Sequence, residues 1–324
     1  MNVISKFNTI NKCLSNIPSA LAGLALGIAS LGLCWENRSE LNGSGQMFAA
    51  IVASCILLPL LFKFIFNPAI LKQDLADHVG GGVAPTLAMA MMVVANNIAI
   101  YSLQLGKIIS LLAIIIHLCF LVIFIFYRSK NFRFEHILPS WFIPPIGLVI
   151  ALIMYPGGIS HPLANLILKF GLICYALLLP VVLYRLLFGE KLCDHEKPIL
   201  VILATPASLL LAGYFEITEQ PSYLMIAILV PLAVTMTLFA YFSFSKLLRL
   251  PFTPAYSAFT FPLVVGATAL FKTSQFLLKE GNMQLSSIVE QLAYLELLIA
   301  TAMVIYVSLR YMRYFLTAPK VFTQ

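Results

Sequence analysis

The chain is 324 residues long, 61% hydrophobic and only 10% charged, with a formal net charge of +7. Soluble domains are about 25% charged, and here the shortfall runs along most of the chain, which excludes a water-soluble globule and makes lipid the solvent of the fold. The basic excess forms no long block, aromatic ladder or recognition-helix motif, so nucleic acid is excluded as a partner.

Taken in chain order, the first apolar run covers 17–35, behind Lys6 and Lys12. It is read as a membrane helix and not as a cleaved leader, because no A-x-A site closes it and Leu33 before Cys34 spoils a lipoprotein-type box. A span needs about 20 predominantly apolar residues. Nine further runs follow at 47–66, 84–103, 106–127, 138–155, 162–188, 198–215, 222–244, 254–275 and 285–309. The fold class is therefore an all-α integral membrane protein with ten transmembrane helices, a single domain over 1–324. Its helical hairpins are expected near 17–66, 84–127, 138–188, 198–244 and 254–315.

Ten spans put both termini on one side, and the positive-inside rule selects it. Lys6, Lys12, Lys63, Lys72, Arg128, Lys130, Arg133, Arg185, Lys191, Lys197, Lys246, Arg249, Arg310, Arg313 and Lys320 lie on that side, 15 of the 20 basic residues. The opposite side has Arg38, Lys107, Lys169, Lys272 and Lys279. Both termini are expected in the cytoplasm.

The spans alternate in character. Residues 18–34 hold ten Gly, Ala, Ser or Pro, against two in 108–124; residues 254–270 hold eight, against three in 295–311. Small residues let helix backbones approach, whereas Leu, Ile and Phe suit lipid, so odd helices are expected inside and even helices outside. Each odd span also carries proline: Pro18, Pro85, Pro144 with Pro145, Pro206 and Pro262, recurring every 56 to 67 residues. Proline removes a backbone donor and bends a helix, and five bent inner helices around an axis could leave a pore. Pro59, Pro180 and Pro231 on even spans weaken that inference.

Five segments in order, all on odd helices, resemble one family: GLALGIASLGLCW from Gly23, APTLAMAMMVVA from Ala84, PSWFIPPIGLVIA from Pro139, LATPASLLLAGY from Leu203 and PFTPAYSAFTFPLVVGATAL from Pro251. AFTFPL, from Ala258 to Leu263, is similar to the ninth-helix signature of the tellurite-resistance and dicarboxylate transporter family, which includes a bacterial tellurite-resistance permease, a yeast malate permease and plant guard-cell anion channels. The resemblance implies five quasi-symmetric hairpins with odd helices lining a pore, a homotrimer with one pore per subunit, a bacterial inner (cytoplasmic) membrane setting, and a gating phenylalanine that falls at Phe261.

Helical spacing adds lining candidates on the face of Phe261: Ser257, Val264 or Val265, and Thr268. Facing helices offer Gly27, Ser30, Ala88, Met92, Gly147, Thr205 and Ser208. The odd helices carry almost no charge, Lys272, Arg38 and Lys107 being the basic groups nearest them. Such a lining suits weak binding of small monovalent anions, the easily dehydrated nitrate or iodide ahead of chloride. A proton-coupled carrier of malate or of a tellurite- or sulfite-type oxyanion is the rival. Coupling usually needs an intramembrane titratable group, and His117, Glu290 and Glu296 fall on even helices, which favours a channel. Catalysis is not expected: H-E-x-x-H and G-x-S-x-G are absent, and Gly80 to Gly82 lack the lysine and serine of a phosphate loop. No cofactor or metal is expected; Met89, Met91 and Met92 read as apolar filler.

Overall fold

The computed structural model describes residues 11–39 and 41–317, and the regular elements among them are all helical. They are α1 (Leu21–Glu36), α2 (Ser44–Phe66), α3 (Pro68–Ala76), α4 (Gly80–Val83), α5 (Thr86–Tyr101), α6 (Leu103–Lys130), α7 (Ile143–Ile146), α8 (Ile150–Met154), α9 (His161–Phe188), α10 (Thr205–Ile217), α11 (Tyr223–Leu247), α12 (Phe261–Lys279) and α13 (Met283–Thr317), with short 3-10 turns between some of them. Lys6 and Lys320, which entered the charge count, lie outside the described residues.

Among the described residues eight stretches are long and apolar enough to cross a membrane: Ser44–Phe66, Gly80–Tyr101, Leu103–Lys130, His161–Phe188, Lys197–Ile217, Tyr223–Leu247, Pro254–Lys279 and Met283–Thr317. The other two runs of the sequence reading are the shorter apolar helices Leu21–Glu36 and Pro139–Met154. A 16-residue helix rises about 24 Å, a little short of the roughly 30 Å hydrocarbon core.

Burial separates the stretches into two classes. Gly80–Tyr101, Lys197–Ile217 and Pro254–Lys279 are 67% to 89% buried, whereas the other five long stretches are 28% to 39% buried. The two short helices belong with the first class: Pro139–Met154 is buried at every residue except Trp141 and Ile153. On α6 the exposed side is an unbroken apolar face that includes Ile108, Leu111, Ile115, Val122 and Ile125, the pattern of a helix bathed in lipid.

The buried elements touch one another in a closed cycle, α1 on α5, α5 on α8, α8 on α10, α10 on α12 and α12 on α1. The exposed helices pack outside it, α2 along α1, α6 along α5 and α13 along α12. Glycine makes the closest approaches. A Cβ at Gly27 of α1 would overlap the Thr260 side chain and stand 3.2 Å from the Phe261 amide nitrogen. One at Gly213 of α10 would come 2.5 Å from Val149.

The sequence-predicted kinks take a particular form. Pro85 caps α5, Pro206 and Pro262 stand in the first turns of α10 and α12, Pro144 and Pro145 lie within α7, and Pro18 precedes α1. At these places the chain changes from 3-10 or irregular backbone to α-helix: Lys197–Ala204 and Pro254–Phe259 are 3-10 turns that pass into α10 and α12. First-turn amides have no intrahelical acceptor, so proline loses little there and its fixed φ suits the start of a helix. Between α6 and α7, the fully buried His117 donates from Nε2 to the Pro144 carbonyl at 2.9 Å.

Candidate functional site

The irregular halves of the buried elements surround a cavity of about 500 Å³. Gly23 and Leu26 of α1, Thr86 and Met89 of α5, Ile146 and Gly147 of the broken segment, Thr205 and Leu209 of α10, and Ser257, Phe261 and Pro262 of the α12 segment line it. Phe261 is the first residue of α12 and is 7% exposed. Its backbone is set by a clamp between α12 and α1, in which Thr260 Oγ1 donates to the carbonyls of Gly23 at 3.1 Å and Ser257 at 2.7 Å. The missing side chains at Gly23 and Gly27 leave room for Ser257 and Thr260.

Of the residues proposed from sequence, Phe261, Ser257, Gly147 and Thr205 line this cavity, together with Pro206 and Pro262. Gly27, Ser30, Ala88, Met92, Ser208, Val264, Val265 and Thr268 do not. Ala88, Met92 and Val264 are fully buried, and Val265 nearly so. Thr268 donates to the Val264 carbonyl at 2.9 Å, and Ser208 donates to the Ala204 carbonyl at 3.0 Å. Ser30 is buried with its hydroxyl unpartnered. Gly27 serves the Thr260 contact. The lining is largely apolar, and Leu26, Met89, Ile146, Ile202 and Leu209 in it were not among the residues proposed from sequence.

Sequence reasoning also missed the mouth. Asp74 near the end of α3, and Asp77, His78, His195 and Glu196 from connections between helices, line the cavity. His78 Nε2 lies 2.9 Å from Glu196 Oε1, Nδ1 lies 3.5 Å from Asp77 Oδ1, and the ring stacks on that of His136 with centroids 4.8 Å apart. Burial, then the neighbouring His78 and the guanidinium groups of Arg128 and Arg133, hold the His136 imidazole below its ordinary range. Basic side chains around the mouth are committed to protein acceptors. Lys63 donates to the Ile17 carbonyl and the Ser19 hydroxyl, both at 2.8 Å, and lies 3.9 Å from Asp74. Arg128 donates to the Ala76 carbonyl, and Arg185 to the carbonyls of Glu135 and Glu190. Among the described residues no group of three His, Cys, Asp or Glu has a metal-holding arrangement.

Among the described residues no Lys or Arg lines the cavity, so any attraction for an anion has another source. α1, α5, α10 and α12, of 16, 16, 13 and 19 residues, all begin at or next to lining residues. None has a side-chain N-cap hydrogen bond. The first amides of α1, at Leu21, Ala22 and Gly23, donate to the carbonyls of Pro18, Ser19 and Ala20, the Thr205 amide donates to Ile202, and α10 and α12 each have proline as their second residue, so the positive field at these starts comes from the aligned peptide dipoles and not from free amides. Four such starts border a largely apolar space whose mouth also carries the carboxylates of Asp74, Asp77 and Glu196, so their field favours an anion only in the inner part and holds it loosely.

Residues 16–312 match the family described as voltage-dependent anion channel. Two uncharacterized transporters of Methanocaldococcus jannaschii are similar to this chain. One is 28% identical, over 67% of this chain and 71% of its own length; the other is 26% identical, over 71% and 74%.

Proposed function

The chain belongs to the voltage-dependent anion channel family, a family of membrane channels and transporters and not of enzymes, and from that premise we propose that it is a gated channel for small monovalent anions, occluded by Phe261. The observation that carries the reading is the cavity itself. It is bordered by all five buried elements and by Phe261, has no basic side chain among its described lining residues, and lies at the starts of four helices. A pore that binds its ion loosely passes it quickly, and an apolar ring at a constriction stops ions by excluding water.

The proposed architecture has ten membrane crossings in five hairpins, the short helices Leu21–Glu36 and Pro139–Met154 completing the set, with odd helices inner and even helices outer around a central pore. The cycle of contacts among buried elements and the alternating burial support it. In the proposed setting the chain is a homotrimer in a bacterial inner membrane, with both termini cytoplasmic and the acidic mouth facing the cytoplasm. The basic residues flanking that mouth support the orientation. Beyond Phe261, the proposed path continues past Ser30, Met92, Val264 or Val265, and Thr268.

A specific observation favours a second reading, a proton-coupled carrier of malate or of a tellurite- or sulfite-type oxyanion: titratable His78, His195 and Glu196 border the cavity, although they belong to connections and not to the buried helices. Purified protein in planar bilayers separates the two. The channel reading expects larger, non-saturating nitrate current in Phe261→Ala with no dependence on a proton gradient. Saturating, proton-driven malate uptake without channel current would replace it with the carrier.

A further inference from the structure

Along α12, beside Gly266, Ala269 and Leu270 and separate from the cavity, lies a much smaller space of about 10 Å³ whose polar lining is Ser208 of α10, Thr237 of α11 and Glu296 of α13. It has room for about one water molecule. Glu296 is 7% exposed, its Oε1 has no hydrogen-bond partner, and no ion pair among the described residues involves it. The carboxyl is pressed against backbone: a Cβ at Gly266 of α12 would overlap Oε1.

Gly266 follows Phe261 by five residues, which places it about 140° around the same helix. The carboxyl thus bears on the back of the helix whose opposite side carries the ring in the cavity. The titratable groups facing it are Tyr241 of α11, whose buried hydroxyl is also unpartnered, and Cys34 of α1. From α10 Ser208, its hydroxyl already given to the Ala204 carbonyl, and Leu211 line the same space, and from α12 Gly266, Ala269 and Leu270. None of these is a cation. An ionisable side chain buried in a membrane protein without a countercharge is costly to keep charged, and such residues mark ion and proton pathways. A carboxyl that merely tied α13 to a neighbour would have its oxygen bonded, and Oε1 is not.

We propose that Glu296 is a proton-binding site that controls the obstruction at Phe261 from behind. When the O–H bond breaks, the proton passes to a water molecule in the small space and the electron pair stays on the carboxylate. The carboxylate then draws in further water, α12 yields at Gly266, and the ring at its start is displaced. The inference rests on the reading of Phe261 as the obstruction.

The test is nitrate flux into liposomes holding the full chain, between about pH 6 and pH 9, for wild type, Glu296→Gln and Phe261→Ala. Wild-type flux is expected to rise about fivefold toward alkaline pH, Glu296→Gln to stay at the acid-side level throughout, and Phe261→Ala to be high and flat. A Glu296→Gln profile that follows wild type, or a wild-type flux without pH dependence, overturns the proton site. If Phe261→Ala conducts no more than wild type, the gate reading falls, and the comparison of wild type with Glu296→Gln still decides the proton site. Infrared titration of the wild type is independent of the variant's folding: the carbonyl band of a protonated carboxylic acid should disappear with the rise in flux. A spectrum with no titrating acid band in that range overturns the proposal.

Discussion

At one end of the buried elements Asp77, His78, His195 and Glu196 border an open cavity. At the other, Lys272 is paired with Glu216 at 2.5 Å and the Arg38 guanidinium lies over the Phe271 ring, 4.4 Å from its centroid. The backbone differs in step. Toward the mouth the elements run as 3-10 turns and broken segments, and beyond Phe261 and Thr205 they are regular, closely packed α-helix. Irregular backbone in a membrane has to line water or be buried in protein, because lipid cannot satisfy its amides and carbonyls. Here it lines the cavity, beside which α1, α5, α10 and α12 begin. Among the described residues neither end offers an uncommitted basic side chain at the cavity, so on the proposed reading anion attraction falls to the helix starts and resistance to Phe261.

The largest expected effect breaks that division directly. Phe261→Ala removes the apolar ring and leaves the helix starts in place, so anion conductance should rise tenfold or more, about 1.4 kcal/mol or more off the barrier. Single-channel recording checks it, and an unchanged conductance in folded protein would assign the resistance elsewhere.

Next in size is the clamp that positions the ring. Gly27→Ala should lower stability by about 2 kcal/mol, because its Cβ enters the space of Thr260 and overpacking a tight contact costs about 1 to 3 kcal/mol. Thermal unfolding in detergent measures the loss. Thr260→Ser in the same background should restore little of it, because the atoms the new Cβ meets, Oγ1 and Cβ of Thr260, are both kept in serine. Smaller still is the tie between α6 and α7: His117→Leu should cost about 1 kcal/mol by leaving the buried Pro144 carbonyl without its donor. Little change in conductance would go with it.

How far these features were legible in the sequence follows from which signal carried them. The contrast between small-residue and Leu/Ile/Phe-rich spans separated buried elements from exposed ones, because close backbone approach requires it; Gly23, Gly27 and Gly213 sit at such approaches. The prolines marked where α-helix begins. Lining residues were less legible for two reasons. A 3-10 turn advances about 120° per residue against 100° in an α-helix, so a wheel carried through the eight residues of Lys197–Ala204 slips by about 160° before α10 starts. Residue type gives no guide either: on α10 the polar Thr205 and Ser208 stand out in sequence, yet Leu209, one turn beyond Thr205, lines the cavity while Ser208 faces α11 and Glu296. The mouth residues lie in connections, which have no periodicity from which their direction could be read. Glu296 was visible as an acid on an outer helix, but its contact with Gly266 is tertiary.

The smallest effects sharpen the comparison between the two ends. Lys272 is the basic residue that sequence alone placed nearest the far end of the path, and its pairing with Glu216 cancels most of its field. Lys272→Gln should therefore lower nitrate conductance by less than about twofold, through the unpaired Glu216 it leaves, and the double replacement with Glu216→Gln should return to wild type. At the mouth the sign reverses: Glu196→Gln removes a carboxylate from the cavity wall and should raise conductance. A unit charge about 8 Å away in water contributes about 0.5 kcal/mol, or roughly twofold, and salt at about 0.15 M screens much of it. Both changes should shrink as salt rises, whereas the Phe261→Ala gain should not, because exclusion of water at an apolar ring does not depend on distant charge. If Lys272→Gln instead abolished conductance at every ionic strength, the paired lysine would be a binding group in the path, and the helix starts would lose their place as the source of attraction.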